Sequence, residues 1–226
     1  MKNKIFTVIF GVAIFFLIIS FSIALPIYCR FFYYMQINSL NLPEKTGYSY
    51  GAIKWAFDDV MNFLTLPNYP FGTGSLSFTK EGASHFADCK ALFTLDTVVL
   101  IVSFILVLTM MFLEKFKKIS FCRPFGMHVG FTSAVSIFIV FLVLIGLVSI
   151  DFSKAFVIFH KIFFPGKDNW QFSQDDEIIN ILPQEFFMSC AILIAVSIIA
   201  ISLIIIIFQL IKRKKARKTT KTDNLP

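Results

Sequence analysis

Four long apolar runs divide the chain. They cover residues 5–29, 95–113, 125–150 and 186–211, and charged side chains are nearly absent from them. A helix needs about 20 apolar residues to cross a hydrocarbon core about 30 Å thick. Each run is close to that length or longer. The pattern therefore predicts an all-α polytopic membrane protein with four transmembrane helices.

Two longer and more polar segments, 30–94 and 151–185, separate these runs. In the first, apolar residues recur at the helical spacing, namely at Ile53, Phe57, Val60, Met61 and Leu64. A second helix is expected from Ser84, as its N-cap, into the next apolar run. Residues 152–164 continue a helical pattern until Pro165 stops it. The two segments together predict a mostly helical head.

The first apolar run has an alternative interpretation as a signal peptide, because Lys2 and Lys4 precede it and Ser22-Ile23-Ala24 resembles a cleavage site. The apolar core of a signal peptide usually has about 7–15 residues, and this run is longer. A retained helix is therefore expected. Cys29 is not expected to carry a lipid of its own, because bulky residues precede it.

Composition agrees with a membrane protein. The 226 residues are 57% hydrophobic and 15% charged, whereas soluble domains are about 25% charged. The net charge of +7 is unevenly distributed. Of 21 basic residues, 13 lie in the N-terminus, in the loop 114–124 and in the tail 212–226, with only Glu114 and Asp223 as acids.

This charge distribution predicts the orientation of the chain. Short loops rich in Lys and Arg stay in the cytoplasm, so both termini are expected there, and segments 30–94 and 151–185 are expected to face outward. The basic tail 212–226 is expected to contact anionic lipid. No nucleic-acid partner is expected.

Two of the three histidines lie in the predicted head, where a proton carrier that titrates near neutral pH is useful for catalysis. Asp88 follows His85 at i+3, on the same helix face, and is a candidate to orient its imidazole. The alternative is a solvated helix start. His160 lies in an aromatic stretch and is either functional or an interfacial side chain. His128 is expected to be interfacial.

Other chemistries have weaker support. A zinc site could in principle draw on His85, Asp88, Cys89, His160 and Asp168, but no close ligand pair such as H-E-x-x-H is present. No metal and no cofactor are therefore predicted. The chain has neither a G-x-S-x-G elbow nor a phosphate-binding loop, so no nucleotide is expected. Cys89 is expected to serve packing.

Two motifs together resemble a known family. The first is Ser84-His85-Phe86-Ala87-Asp88-Cys89-Lys90-Ala91-Leu92-Phe93. The second runs from Phe159-His160 through Asp168-Asn169-Trp170 to Ile181-Leu182-Pro183 and Glu185-Phe186-Phe187. They resemble segments of the lipoprotein intramolecular transacylase (Lit) family of four-span proteins from Gram-positive bacteria. Cys89 stands where that family is expected to have Val or a similar residue.

The resemblance implies an enzyme of the bacterial plasma membrane, active at the outer leaflet. It would move the sn-2 O-acyl chain of a diacylglyceryl-Cys lipoprotein to the α-amino group of that Cys, giving an N-acyl lyso-lipoprotein. His85, oriented by Asp88, is the expected base, and His160, near Asp168, the second acid or base. The expected donors to an oxyanion are Lys90, Asn169, Trp170 and backbone N–H groups. Lipoproteins and membrane phospholipid are the expected partners.

Two other classes of protein are compatible with the residues themselves. A non-enzymatic tetraspan partner or transport subunit would explain the four spans equally well, but it would not need two histidines in the head. A membrane zinc hydrolase would require metal for activity.

Overall fold

The structure is a computed structural model that describes residues 3–222, with side chains as far as residue 215. These residues form eight α-helices and no strand. In chain order they are α1 (Lys4–Tyr28), α2 (Arg30–Ser39), α3 (Leu42–Thr46), α4 (Tyr50–Thr65), α5 (Lys80–Lys115), α6 (Val129–Ile150), α7 (Phe152–Phe163) and α8 (Gln184–Thr222). Short 3₁₀ helices cover Pro124–Gly126 and Glu177–Ile181. Lys2 and residues 223–226 lie outside the described part of the chain.

Four of these helices, α1, α5, α6 and α8, are long and apolar enough to cross a membrane. Much of their apolar surface is not covered by protein: Val98, Ile105 and Phe112 of α5 remain 52%, 56% and 61% exposed. Lipid chains can cover such apolar surface without a free-energy cost, whereas contact with water would be unfavourable. The predicted all-α fold with four spans is confirmed.

The chain divides into two compact units. The first comprises residues 3–22, 99–146 and 195–222. In its core the rings of Phe10 and Phe121 stack with centroids 4.6 Å apart, and His128 meets each ring edge-on at 6.1 Å. Nε2 of His128 lies 3.3 Å from a carboxylate oxygen of Glu114. The third histidine is thus held by packing and one acidic partner.

The second unit comprises residues 23–98 and 147–194. Tyr33 is at its centre. The Tyr33 ring stacks on Phe57 at 3.7 Å and meets Phe186 edge-on at 5.0 Å. Its hydroxyl donates a hydrogen bond to the carbonyl of Ile181 at 2.7 Å. A buried phenol with a partner is stable as the neutral form, and burial raises the pKa of Tyr33.

Helix α4 confirms the periodicity seen in the sequence. All five residues of the predicted apolar face are buried, together with Ala56. Ser49 caps the helix by accepting a hydrogen bond from the backbone N–H of Ala52 at 3.2 Å. The burial of this face joins α4 to the core around Tyr33.

Helix α5 begins earlier than the sequence predicted. Its N-cap is Thr79, whose hydroxyl accepts the backbone N–H of Gly82 at 3.0 Å, so the prediction of Ser84 as the cap is wrong. Thr79 is itself fixed by the buried carboxylate of Asp176, which accepts its N–H at 2.7 Å and its hydroxyl at 2.9 Å. This contact between distant residues starts the helix one turn early.

Asp176 also accepts the backbone N–H of Ser173 at 3.0 Å. Gly82 leaves room for the carboxylate, because a Cβ at that position would collide with Oδ1 of Asp176. Burial acts to raise the pKa of Asp176, but the hydrogen bonds from Thr79 and Ser173 outweigh burial and hold the pKa below its usual value. Asp176 therefore stabilises the fold as a carboxylate.

We expect Asp176→Asn to lower the free energy of unfolding by about 2 kcal/mol, because an amide cannot accept all of these donors. The measurement is the Tm of the detergent-solubilised protein. Asp175→Asn is the matched control, because within the described part of the chain no side-chain hydrogen bond of the exposed Asp175 is seen. The difference between the two variants should shrink as the pH falls through the lowered pKa of Asp176, where the stabilisation is lost. Equal Tm values near neutral pH would contradict this role.

Candidate active site

The two histidines of the predicted head lie side by side in the second unit. His85 on α5 and His160 on α7 are 5% and 6% exposed. Their ring centroids are 5.7 Å apart. The sequence suggested each histidine separately. The fold brings them together, although they are 75 residues apart in the chain.

Aromatic side chains surround the pair. Trp170 stacks on His160 with centroids 4.6 Å apart, and Phe156 lies 4.3 Å from the same ring. Phe164 contacts both imidazoles, at 4.8 Å from His85 and 5.7 Å from His160. Such surroundings solvate an imidazolium poorly, so they favour two uncharged rings.

A backbone contact fixes the tautomer of His160. Its Nδ1 lies 2.8 Å from the carbonyl oxygen of Phe156, one helical turn earlier. A carbonyl only accepts, so Nδ1 carries the hydrogen and Nε2 keeps a lone pair. Burial lowers the pKa of His160, and the hydrogen bond to Phe156 opposes only part of that effect. His160 is therefore a neutral base at pH 7.

His85 contacts a thiol and an amide. Nε2 lies 3.5 Å from the thiol of Cys89, and the ring, whose Nδ1 is buried, interacts with the side-chain amide of Asn169. If the thiol donates to Nε2, Nδ1 carries the hydrogen. Cys89 packs within the helix face as expected, and its thiol also contacts the imidazole of His85.

Asp88 does not orient His85 directly, in contrast to the expectation from their spacing. One carboxylate oxygen of Asp88 pairs with the ammonium of Lys167 at 2.5 Å, and the other accepts Nδ2 of Asn169 at 3.0 Å. Because both partners follow α7 in the chain, Asp88 joins α5 to the segment 164–172. We call these three residues the Asp88 clasp.

Two other predicted residues do not contact the histidine pair. Asp168 is exposed, and its carboxylate accepts a hydrogen bond from Gln171 at 3.4 Å. The ammonium of Lys90 donates to the carbonyl of Leu66 at 3.0 Å and lies over the ring of Phe63. The contacts seen for these two side chains, within the part of the chain that the structure describes, are with residues of α4, with Leu66 and with the turn after α7.

Asn169 and Trp170 lie at the site, but their N–H donors are already used. Nδ2 of Asn169 is bound to Asp88, and Nε1 of Trp170 donates to the carbonyl of Lys167 at 3.1 Å. Among the residues described, no three His, Cys, Asp or Glu side chains are grouped as metal ligands would be.

Comparison with known proteins assigns the chain to a family. Residues 8–187 match the family described as lipoprotein intramolecular transacylase Lit. The chain belongs to the Lit family.

A solved structure agrees with that assignment. The membrane-integral lipoprotein intramolecular transacylase Lit from Bacillus cereus has a TM-score of 0.85 and 26% identity, over 95% of this chain and 97% of that one. Structures of that protein with the mutations H85R and H85A have TM-scores of 0.78 and 25% identity, over 95% of this chain and 94% or less of theirs. No curated protein matches the chain by sequence.

As a member of the Lit family, the chain is a lipoprotein intramolecular transacylase and thus an acyltransferase of the membrane. This favours the enzyme over the non-enzymatic tetraspan protein that the four spans alone would allow. Sequence reasoning missed three contributors to the site: Phe156, Phe164 and Lys167. The position of Phe156, four residues before His160 on one helix face, was the sequence signal that could have predicted its contact with His160.

Trp170 provides a direct readout of His160. We expect the fluorescence of Trp170 to fall on acidification with a midpoint below about 6.5, because a stacked imidazolium quenches indole and the pKa of His160 is lowered. The measurement is a pH titration of Trp55→Phe, which leaves Trp170 as the single tryptophan of the two.

Adding His160→Gln should remove this transition, whereas adding His128→Gln should not, because the ring contacts of His128 are with Phe10 and Phe121. A midpoint at or above the ordinary value would contradict a neutral His160.

Proposed function

We propose that this Lit family member moves the sn-2 O-acyl chain of a diacylglyceryl-Cys lipoprotein to the α-amino group of the same Cys. The histidine pair would act as general acid and base. One observation carries the proposal: two buried imidazoles with centroids 5.7 Å apart, one of them with Nε2 free to accept a proton. An ester becomes an amide, so no nucleotide is needed.

The first requirement of this reaction is a deprotonated amine. An α-amino group has a pKa of about 7.7–8.0, so much of it is protonated near pH 7. The neutral fraction of the amine is the form that attacks the ester carbonyl carbon, and Nε2 of His160 takes one proton from the nitrogen as it attacks. Its tautomer supports this role more directly than that of His85, which the sequence favoured as the base.

The second requirement is stabilisation of the oxyanion. Lys90 points to Leu66, and the N–H groups of Asn169 and Trp170 are used within the protein. The imidazole of His85, with Nδ1 buried, lies beside the amide of Asn169. In the tautomer that Cys89 favours, its N–H donates to the oxyanion.

The last step breaks the bond between the acyl carbon and the sn-2 oxygen. The glyceryl alkoxide receives a proton from the imidazolium, so the amine's proton ends on the glyceryl hydroxyl and the enzyme returns to its starting state. Because amine and ester belong to one substrate, proximity supplies much of the rate. Membrane phospholipid surrounds the site, and the apolar helices bind the acyl chains.

We expect His85→Ala and His160→Ala each to lower the rate of N-acyl lyso-lipoprotein formation by about 10²–10⁴-fold, the usual contribution of general acid–base catalysis. The measurement is mass spectrometry of one lipoprotein's N-terminal lipopeptide, from a host that lacks lipoprotein N-acyltransferase. The two isomers share a mass, so fragment ions distinguish them.

His128→Ala is the matched control and should retain activity. An unchanged diacylglyceryl peptide with well-expressed wild-type protein would contradict the proposal, and loss of activity on chelation would favour the zinc hydrolase.

We further propose that both termini lie in the cytoplasm and that the histidine pair faces the outer leaflet, as the basic residues suggest. Two native cysteines test this. An impermeant maleimide should label a variant with Cys29 alone in intact cells, because Cys29 is exposed just after α1. A variant with Cys122 alone, in the basic loop, should be labelled only after lysis. The reverse pattern would contradict this orientation.

A further inference from the structure

A cavity at the end of α5 is lined by basic side chains. Its volume is about 560 Å³, and all of its lining residues belong to the last turn of α5 and the loop that follows, within the first unit. The basic residues of the lining are Lys117, Lys118 and Arg123, all of them exposed. Within the described part of the chain, no carboxylate forms an ion pair with any of the three. Three cations therefore line one cavity and remain available to an anionic ligand.

The acid in this lining already has a partner. Glu114 is the one Asp or Glu among the lining residues described, and its carboxylate lies 3.3 Å from Nε2 of His128. Three cations and one carboxylate leave a net charge of +2 at the cavity. A ligand with one or two negative charges would balance it.

The loop that carries these cations is fixed to α1. The hydroxyl of Thr7 accepts the backbone N–H of Cys122 at 2.8 Å, and the carbonyl of Ser120 accepts the backbone N–H of Asn3 at 3.1 Å. Phe121, which also lines the cavity, is buried in its stack on Phe10. The basic residues are therefore held in place before a ligand arrives, which lowers the entropic cost of binding.

Lys117 occupies a backbone position that usually belongs to glycine. The N–H of Lys118 bonds to the carbonyl of Leu113 at 2.9 Å, and the N–H of Lys117 bonds to that of Glu114 at 3.0 Å. This is the Schellman pattern of a helix end, in which the residue after the helix is left-handed. Lys117 has the corresponding φ of 53–54°. A side chain in a conformation that glycine adopts more easily suggests a function for that side chain.

Exposed aromatic rings place the cavity at the membrane surface. Phe116 and Phe125, which flank the basic residues in the chain, are 54% and 96% exposed. Contact of these rings with water is unfavourable, and lipid chains would cover them. The three cations therefore lie where lipid headgroups meet the hydrocarbon core.

We propose that this cavity binds the phosphate headgroup of an anionic phospholipid from the surrounding leaflet. Basic pockets at the ends of spanning helices suit such headgroups, and the guanidinium of Arg123 matches two phosphate oxygens at once. The acyl chains would lie along the exposed apolar side chains of α5, such as Phe112. The site shares no residue with the histidine pair, and it does not depend on the proposed acyl transfer.

Titration of the detergent-solubilised full chain with phosphatidylglycerol tests the proposal, with bound lipid counted by native mass spectrometry. Phosphatidylcholine, which has no net charge, is the comparison and should bind more weakly. The triple variant Lys117→Gln, Lys118→Gln and Arg123→Gln should weaken binding of phosphatidylglycerol by about 10- to 100-fold, the usual effect of lost hydrogen bonds to a charged group. Its binding of phosphatidylcholine should change little.

A charge-matched triple variant separates a site from general surface charge. Lys4→Gln, Lys212→Gln and Lys214→Gln together remove the same charge from exposed lysines outside the lining. This control should bind phosphatidylglycerol nearly as the wild-type protein does.

Two single variants separate binding from folding. Lys117→Gly suits the left-handed backbone, so it should not lower the Tm measured with phosphatidylcholine, yet it should weaken binding of phosphatidylglycerol. Arg123→Lys keeps the charge but loses the planar fork, so binding should weaken in part.

Equal weakening by the two triple variants would overturn the proposal, as would equal binding of the two lipids by wild-type protein. Inorganic phosphate is added as a competitor. If it displaces phosphatidylglycerol at an equal concentration, the cavity binds a soluble anion and the lipid assignment is overturned.

Discussion

Keeping two neighbouring imidazoles uncharged is the constraint on which the rest of the site depends. A second positive charge near the first would be costly in aromatic surroundings, and Phe164 lies against both rings. A carboxylate in contact with either ring would favour the protonated form of that ring. Asp88 is close in sequence, but Lys167 and Asn169 occupy its oxygens. The clasp thus holds both carboxylate oxygens of Asp88 on partners other than the imidazoles.

The segment between α7 and α8 carries most of this organisation. It supplies Trp170 and Asn169 to the site and Asp176 to the start of α5. Helix α5 in turn supplies His85. Asn169 and Trp170, at the site, and Asp176, at the start of α5, therefore lie within eight positions of the chain. Their partners come from distant parts of the sequence.

Much of the fold could be predicted from the sequence, because apolar runs of membrane-spanning length and the spacing along α4 are local properties. Both histidines were also recognisable, His160 as a polar residue in an aromatic stretch and His85 by the carboxylate of Asp88 three residues later on the same helix face. The partners of Asp88, Asp168 and Lys90 could not be predicted from the sequence. Helical spacing tells which residues share a face, but the partner of a carboxylate depends on distant segments. Lys167 reaches Asp88 across 79 positions, and Thr79 reaches Asp176 across 97.

The unbroken course of α5 has a consequence for the lipid environment. Its 36 residues extend about 54 Å, well beyond a hydrocarbon core of about 30 Å. His85 precedes the charge-free stretch that begins at Thr97 by 12 residues, or about 18 Å of helix. No hinge separates the two. A thinner or thicker bilayer, which spanning helices accommodate by tilting, would therefore change how far the imidazole of His85 lies from the hydrocarbon core.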